Sequence, residues 1–370
     1  MEQLTQCEID LCSTLRWPQS LYNTYVINHE TVMEGIESAL GKHESIKVST
    51  SISDYAGTKV VTSFQKAVNK TSYHAYTLLL FTSDTMIDMV IPSTALGVLA
   101  ALSGSALDLP SQQGLDVLQR IPKVLIWLWL MVLQFCLQNQ RHASSVQEDA
   151  INKPWRPIPA GRINRTQTNQ LLLATYLITV LVSYHLRVVP IYVAWAILIT
   201  AYNDTGVSDY SGIVRNVFAG AGFTCTFSGA LSIALGPHNP ISYTAWQWTL
   251  LVTFGIIGTI IQTQEFRDEA GDRARGRRTV VIELGRKYAL GTVVVTVAFW
   301  AVYAPLGFLG ARWEAAALSI GLGALLVGTA MWAVGLEDRK LDRQMYKLWC
   351  LWLCSFAGLP LFATVFPSQE

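Results

Sequence analysis

Glu265, Asp268 and Asp272 lie within the polar island Gln264-Glu265-Phe266-Arg267-Asp268-Glu269-Ala270-Gly271-Asp272-Arg273, which follows directly on an apolar run over 248–261. On a helix, residues three and four apart share a face, so these carboxylates would stand side by side. Like charges that close repel unless a cation lies between them. Their oxygens suit a hard ion such as Mg²⁺, which takes one or two carboxylates together with substrate phosphate. Arg267, Arg273 and Arg278, within or just beyond the island, could hold the remainder of a phosphate group through forked N–H donors. Taken alone, the island reads equally as a solvated, salt-bridged connection between two membrane helices.

The elements that must position it are set by composition. The chain of 370 residues is 51% hydrophobic and 14% charged, with mean hydropathy +0.33. Soluble domains carry about 25% charged residues, so a polytopic membrane protein is expected. A net charge of +1 provides no field to recruit nucleic acid or an acidic partner, and no obligate protein partner is evident. The six cysteines are scattered, without disulfide framework or zinc spacing; Cys350 and Cys354, four apart, read as packing. Residues 1–72 mix charges with Ser and Thr and lack a long apolar run. They read as an N-terminal cytosolic extension, helical around 30–40 and flexible near 49–53, with neither signal nor transit peptide. Residues 73–370 form the membrane domain.

Nine apolar segments are expected in that domain: 75–103, 121–138, 170–187, 189–202, 213–235, 245–262, 288–309, 313–335 and 346–366. Each approaches the roughly 20 residues a spanning helix needs. Pro190 separates the third from the fourth in a tight hairpin, and Asp84, Asp88 and Pro92 tilt or kink the first. Positive charge gathers in the connections after segments two, six and eight and is scarce on the opposite side. The positive-inside rule then places the N-terminus and the even-numbered loops in the cytosol, with the endoplasmic reticulum as the expected membrane. Asn69, Asn164 and Asn203 head glycosylation sequons that would go unused on that side.

The connection after segment two carries a second island, Asn139 through Asp149, continuing as Asn152-Lys153-Pro154-Trp155-Arg156-Pro157-Ile158-Pro159-Ala160-Gly161-Arg162. Its prolines and Gly161 cannot continue a helix, so Asp149 is expected near a helix C-terminus. A carboxylate there, facing Asp268, would complete a two-sided cage for metal ions and a diphosphate. Arg156 and Arg162 could contact that diphosphate or serve an anionic leaflet.

These two stretches together resemble the paired motifs of the UbiA superfamily of intramembrane prenyltransferases, over roughly residues 73–366. The resemblance implies an all-α membrane protein, a nine-helix bundle with two Asp/Glu-rich motifs on cytosolic loops. It also implies a prenyl diphosphate substrate, Mg²⁺ as cofactor, and Asp149, Asp268 and Asp272 as catalytic residues. The first motif departs from the family pattern, since Arg141, His142 and Ser145 stand at its earlier register positions and only Asp149 is in place. Asn139-Gln140 with Glu148-Asp149, and Leu80-Phe81-Thr82-Ser83-Asp84 ahead of Ile91-Pro92, are similar to the fungal membrane-bound, bergamotene-type sesquiterpene cyclase branch. On that basis Asn139, Glu148, Asp149, Glu265, Asp268 and Asp272 are the expected metal ligands.

Chemistry at the island serves two outcomes. If the allylic cation is captured by its own double bonds, the enzyme is a terpene cyclase acting on farnesyl diphosphate. If an aromatic or other acceptor captures it, the enzyme is a prenyltransferase. The altered first motif favours the cyclase. Tyr202, Phe223, Phe227, Trp248, Trp349 and Trp352 fall in membrane segments, where aromatic faces either line a cation pocket or form core and interface belts. Asn203, beside Asp204, either joins the head-group site or merely ends a helix. Asp84 and Asp88 share a face and either act in the reaction or sit at the cytosolic rim, whereas His142 lacks a metal-ligand partner and reads as structural. A transporter is the non-enzyme alternative, but neither motif has the second copy that transporter repeats supply.

Overall fold

The structure, a computed structural model, describes residues 52–366. The expected helix around 30–40 lies outside the described residues. The chain divides into two compact units, Met1–Val68 and Asn69–Glu370, and the residues that line the candidate site belong to the second.

The described elements are helical throughout. Helix α1 (Ile52–Thr85) runs into a π-helical turn over Met86–Val90, then α2 (Ile91–Leu102) with Pro92 at its start. Pro92 has no N–H to give to the carbonyl four residues back, at Asp88, and the wider turn accommodates that loss. The kink expected from Asp84, Asp88 and Pro92 therefore takes the form of a π-bulge. Next come α3 (Gly114–Gln140), α4 (Ala143–Asn152), α5 (Arg165–His185), α6 (Val189–Asp204), α7 (Val207–Tyr210) and α8 (Gly212–Leu235). An irregular run follows, of α9 (Tyr243–Leu250), a π-helical stretch over Leu251–Ile257 and α10 (Gly258–Ile260). It leads into α11 (Glu265–Arg275), α12 (Val280–Leu284), α13 (Arg286–Val302), α14 (Trp313–Trp332) and α15 (Arg339–Val365).

Among the described residues seven helical runs are long and apolar enough to cross a membrane: 68–102, 114–140, 212–235, 243–275, 286–308, 313–332 and 339–365. With these seven, the chain is an integral membrane protein. The third and fourth expected segments form helices but fall short of that standard. Helix α5 opens on Arg165, Thr166, Gln167, Thr168, Asn169 and Gln170, and α6 is only 16 residues long, against the roughly 20 a span needs.

Helix α2 packs on α8 and α15, α3 on α5, and α14 on both α13 and α15. The α2–α8 approach rests on Gly97, where an added Cβ would overlap Ala230. At Gly229 it would overlap the Trp127 ring. Small residues let backbones come close where hydrophobic driving force is weak. Trp127, Trp195, Trp349, Trp352 and Phe356 fill the interior. Trp352 donates to the Ser319 carbonyl at 3.0 Å and Trp127 to the Ser183 hydroxyl at 2.9 Å, so these two indoles keep a polar partner in the apolar core.

Both acidic motifs are carried by helices within the connections: Asn139 and Gln140 close α3, Glu148 and Asp149 lie on α4 ahead of its C-terminus, and α11 carries the second motif. Helix α11 opens on Glu265 and Asp268 and closes on Arg273 and Arg275, the order that complements its dipole.

Candidate active site

Helices α4 and α11 pack together, and Asn152 clamps them. Its Nδ2 donates to the Asp268 carbonyl at 2.7 Å and its Oδ1 accepts from the Gly271 N–H at 3.2 Å. Arg339, from α15, donates to the same Oδ1 at 3.2 Å. Any Cβ at Gly271 would overlap the Asn152 amide, so glycine there sets how closely the two motifs approach.

Beyond the clamp, α11 ends in a Schellman turn. Gly276, at φ 78°, lets the chain reverse. The Gly276 N–H reaches the Arg273 carbonyl at 3.1 Å and the Arg277 N–H the Asp272 carbonyl at 3.0 Å. This reversal carries the Arg277 side chain back inward, where it meets Glu148 at 2.9 Å, Asp272 at 3.1 Å and Asp209 at 2.9 Å. Arg275 joins from the last turn of α11, pairing with Glu148 at 3.1 Å and Asp209 at 3.0 Å. The other carboxylates are paired as well. Lys153 holds Asp268 at 2.8 Å, Arg156 holds Asp149 at 2.7 Å, and Arg215 approaches Glu265 at 3.6 Å and Asp272 at 4.0 Å.

One cavity collects these groups. Asp84, Asp88, Glu148, Glu265, Asp268 and Asp272 line it together with Lys153, Arg156, Arg215, Arg267 and Arg277. Its remaining wall is largely apolar, including Phe135, Trp195, Leu198, Tyr202, Phe218, Phe223 and Trp349. Phe135 lies 6.1 Å from Trp195 and 6.0 Å from Tyr202 between ring centroids, and Tyr202 lies 6.3 Å from Phe218. Charged groups and a continuous aromatic wall thus border a single space.

Of the sequence-predicted residues, Asn139, Glu148, Arg156, Glu265, Arg267, Asp268 and Asp272 line the cavity. Asp149 does not: it stands behind Arg156 with its side chain 2% exposed, Oδ1 bonded to that guanidinium and Oδ2 without a partner. Burial pushes the Asp149 carboxyl above its usual range, against the pull of Arg156 and Lys153. Asn203 also lies behind the lining, accepting from Asn139 Nδ2 at 2.9 Å. Arg162 turns to Tyr73 and Thr77, Arg273 pairs with Glu269 along the exposed face of α11, and Arg278 pairs with Glu283. These three arginines are not among the lining residues, and the substrate contacts expected of them do not follow from this arrangement. Arg141 and His142, at the altered register positions, are both drawn to Asp204, at 2.7 and 2.9 Å.

Sequence reasoning does not select Lys153, Arg215 and Arg277 as site residues, though Arg277 stands among the arginines just downstream of the island carrying Asp268 and Asp272, and Arg215 beside the Asn203 stretch. Lys153 is part of the Asn-Lys-Pro stretch, and the Gly276-Arg277 pair signals a reversal after a helix, so both left a trace. Arg215 left only its position near Asn203 and Asp209, because nothing local marks an arginine on α8 as facing the second motif.

The donors available in the cavity suit Mg²⁺. They are oxygens throughout (Asn139, Glu148, Glu265, Asp268 and Asp272), with no His or Cys among the lining residues. Among the described residues no three of His, Cys, Asp or Glu converge tightly enough to hold an ion by themselves. That suits an ion bound by one or two carboxylates jointly with phosphate oxygens and water, and the donor set fits on those terms.

Comparison with known proteins finds relatives in sequence and in fold. The chain is 26% identical over 291 residues to the fumagillin beta-trans-bergamotene synthase af520 of Aspergillus fumigatus, covering 77% of this chain and 92% of that one. It is 30% identical over 159 residues to the digeranylgeranylglyceryl phosphate synthase of Korarchaeum cryptofilum, covering 40% and 54%. Its fold is similar to that of a UbiA homolog from Archaeoglobus fulgidus solved with GPP and Mg²⁺, with TM-score 0.51 at 13% identity, covering 77% of this chain and 99% of that one. The model of the UbiA prenyltransferase family matches residues 72–351, and the chain belongs to that family.

Proposed function

We propose that this protein is a Mg²⁺-dependent membrane terpene cyclase that ionises a prenyl diphosphate, farnesyl diphosphate in the first instance, and cyclises the resulting allylic cation. The observation that carries the reading is the single cavity with a charged part and an aromatic part. A prenyl diphosphate has the same two-part character.

In this reading Lys153, Arg156, Arg215, Arg267 and Arg277 bind diphosphate oxygens, and Asp149 keeps Arg156 aimed at them. The incoming oxygens compete with Glu148, Asp268 and Asp272 for their cations, leaving carboxylate oxygens free. Those oxygens, with Glu265 and the Asn139 amide, are the ones that would hold Mg²⁺ beside the diphosphate. When bound, Mg²⁺ supplies neutralisation of the charge that develops on the leaving group. The wall formed by Phe135, Trp195, Tyr202, Phe218, Phe223 and Trp349 excludes water, and each aromatic face toward a cation contributes about 0.5–2 kcal/mol. Positive-inside charge supports nine spans with α4 and α11 on the cytosolic side of the endoplasmic reticulum membrane, α5 and α6 forming the short hairpin.

The similarity to af520 supports cyclisation, and the similarity to the Korarchaeum enzyme supports the second reading, transfer to an acceptor. One incubation separates them: membranes containing the protein with farnesyl diphosphate and Mg²⁺ and no acceptor. A cyclic hydrocarbon with released diphosphate is expected. Release only after an acceptor is added refutes the cyclase and establishes the transferase. Within either chemistry, Asp268→Ala or Asp272→Ala should abolish release, and retained turnover in both refutes the metal assignment.

A further inference from the structure

Asp88 is the one carboxylate bordering the cavity with no Arg or Lys in ion-pair contact among the described residues. It lies within the π-helical turn Met86–Val90, a distortion that often marks a functional position in a helix. Asp84, on the last turn of α1, approaches Arg156 at 3.7 Å. Tyr346, from α15, donates its hydroxyl to Asp88 Oδ2 at 2.9 Å. Tyr346 is in turn held by Arg267, whose guanidinium carbon sits 3.5 Å above its ring centroid. Asp88 Oδ1 is buried and has no hydrogen-bond partner. Its neighbours on the cavity wall include Met89 and Trp349, both buried.

A buried carboxylate oxygen without a donor is costly, and Tyr346 satisfies only its sister oxygen. Beside a hydrocarbon cation, an oxygen with no donor of its own keeps a lone pair that a proton can take. Resting on the cyclase reading above, we propose that Asp88 is the proton acceptor that ends the cation cascade, with Tyr346 as its positioning residue. In that step a C–H bond next to the cationic carbon breaks. Its electron pair becomes the new C=C bond and its proton goes to Asp88 Oδ1. The carboxyl returns the proton to water when the hydrocarbon leaves. No oxidant or further reactant is needed.

The test follows diphosphate release and hydrocarbon formation together in the full-length protein with farnesyl diphosphate and Mg²⁺. In Asp88→Asn, release continues at a reduced rate while hydrocarbon per diphosphate released falls about 100-fold, at the lower end of what a positioned general base contributes. Alcohols from water capture, or alkenes with a displaced double bond, take its place. Tyr346→Phe keeps the carboxylate but frees Oδ2, so it shifts the ratio of alkene isomers, and Asp88→Glu restores part of the hydrocarbon. An unchanged product profile in Asp88→Asn overturns the assignment, and one in Tyr346→Phe overturns the role given to Tyr346. So does loss of diphosphate release in a folded Asp88→Asn, because Asp88 would then serve ionisation. If Asp88→Asn does not fold, Tyr346→Phe alone decides. A wild-type protein that releases diphosphate only with an acceptor overturns the cyclase reading and this inference together. A wild type forming hydrocarbon beside an unaltered Asp88→Asn profile overturns this inference alone.

Discussion

Arg277 and Arg278 are neighbours with opposite fates, and substituting each by Leu isolates what the charged lattice contributes. Arg277 is 7% exposed and bridges Glu148, Asp272 and Asp209 at 2.9, 3.1 and 2.9 Å. Removing one partner of a buried ion pair costs about 3–5 kcal/mol, because the remaining charge stays buried and uncompensated. Two of the three acids keep another partner, since Arg275 still reaches Glu148 at 3.1 Å and Asp209 at 3.0 Å. Asp272 keeps only Arg215, at 4.0 Å. The loss therefore falls on one carboxylate, which places Arg277→Leu near the lower end, at about 3 kcal/mol. Arg278 is 64% exposed and pairs with Glu283, where about 0–1 kcal/mol is expected. Thermal unfolding of the detergent-solubilised protein, followed by circular dichroism, measures both. Arg277→Lys should recover only part of the loss, because an ammonium is a point charge and cannot fork across three carboxylates. Coincident midpoints for Arg277→Leu and Arg278→Leu would refute the reasoning, showing that Arg277 carries no more than a surface pair.

Three further outcomes follow from the same geometry. Gly276→Ala should cost about 1–2 kcal/mol through its left-handed backbone, and diphosphate release should fall with it as Arg277 loses its approach; release at the wild-type rate counts against the turn. Asn152→Ala leaves the Asp268 carbonyl and Gly271 N–H without their clamp, at about 1–3 kcal/mol, read as a lower unfolding midpoint; an unshifted midpoint shows that α4 and α11 hold without it. Burial raises the Asp209 carboxyl, but Arg277 and then Arg275 more than offset this and hold it below the usual range. Its contribution is thus present above the unfolded value of about 3.9 and is lost as pH falls toward the lower folded value. The midpoint gap between wild type and Asp209→Asn should be full at neutral pH and close below about pH 4; a gap that persists into stronger acid removes Asp209 from the lattice.

Much of this was legible in the residues themselves. Glu265, Asp268 and Asp272 share a face because helical periodicity leaves no other arrangement for that spacing. Pro154, Pro157 and Pro159 end α4 beside Asp149 because proline cannot continue a helix. Low charge and long apolar runs determined a membrane bundle, since a spanning backbone must satisfy its hydrogen bonds within itself. Tertiary structure alone decided which charges meet. Spacing places Asp149 in register for the cavity, yet packing sets Arg156 in front of it. Arg277 enters and Arg278 leaves because a left-handed glycine reverses the chain between α11 and α12. Arg215 reaches Glu265 and Asp272 only because α8 is packed beside them, and Asp88 acquires its character from a tyrosine some 250 residues away. Local rules act over a turn or two of helix. The pairing of a buried charge depends on whichever distant side chain the packing brings within a few ångströms, and no local pattern specifies that.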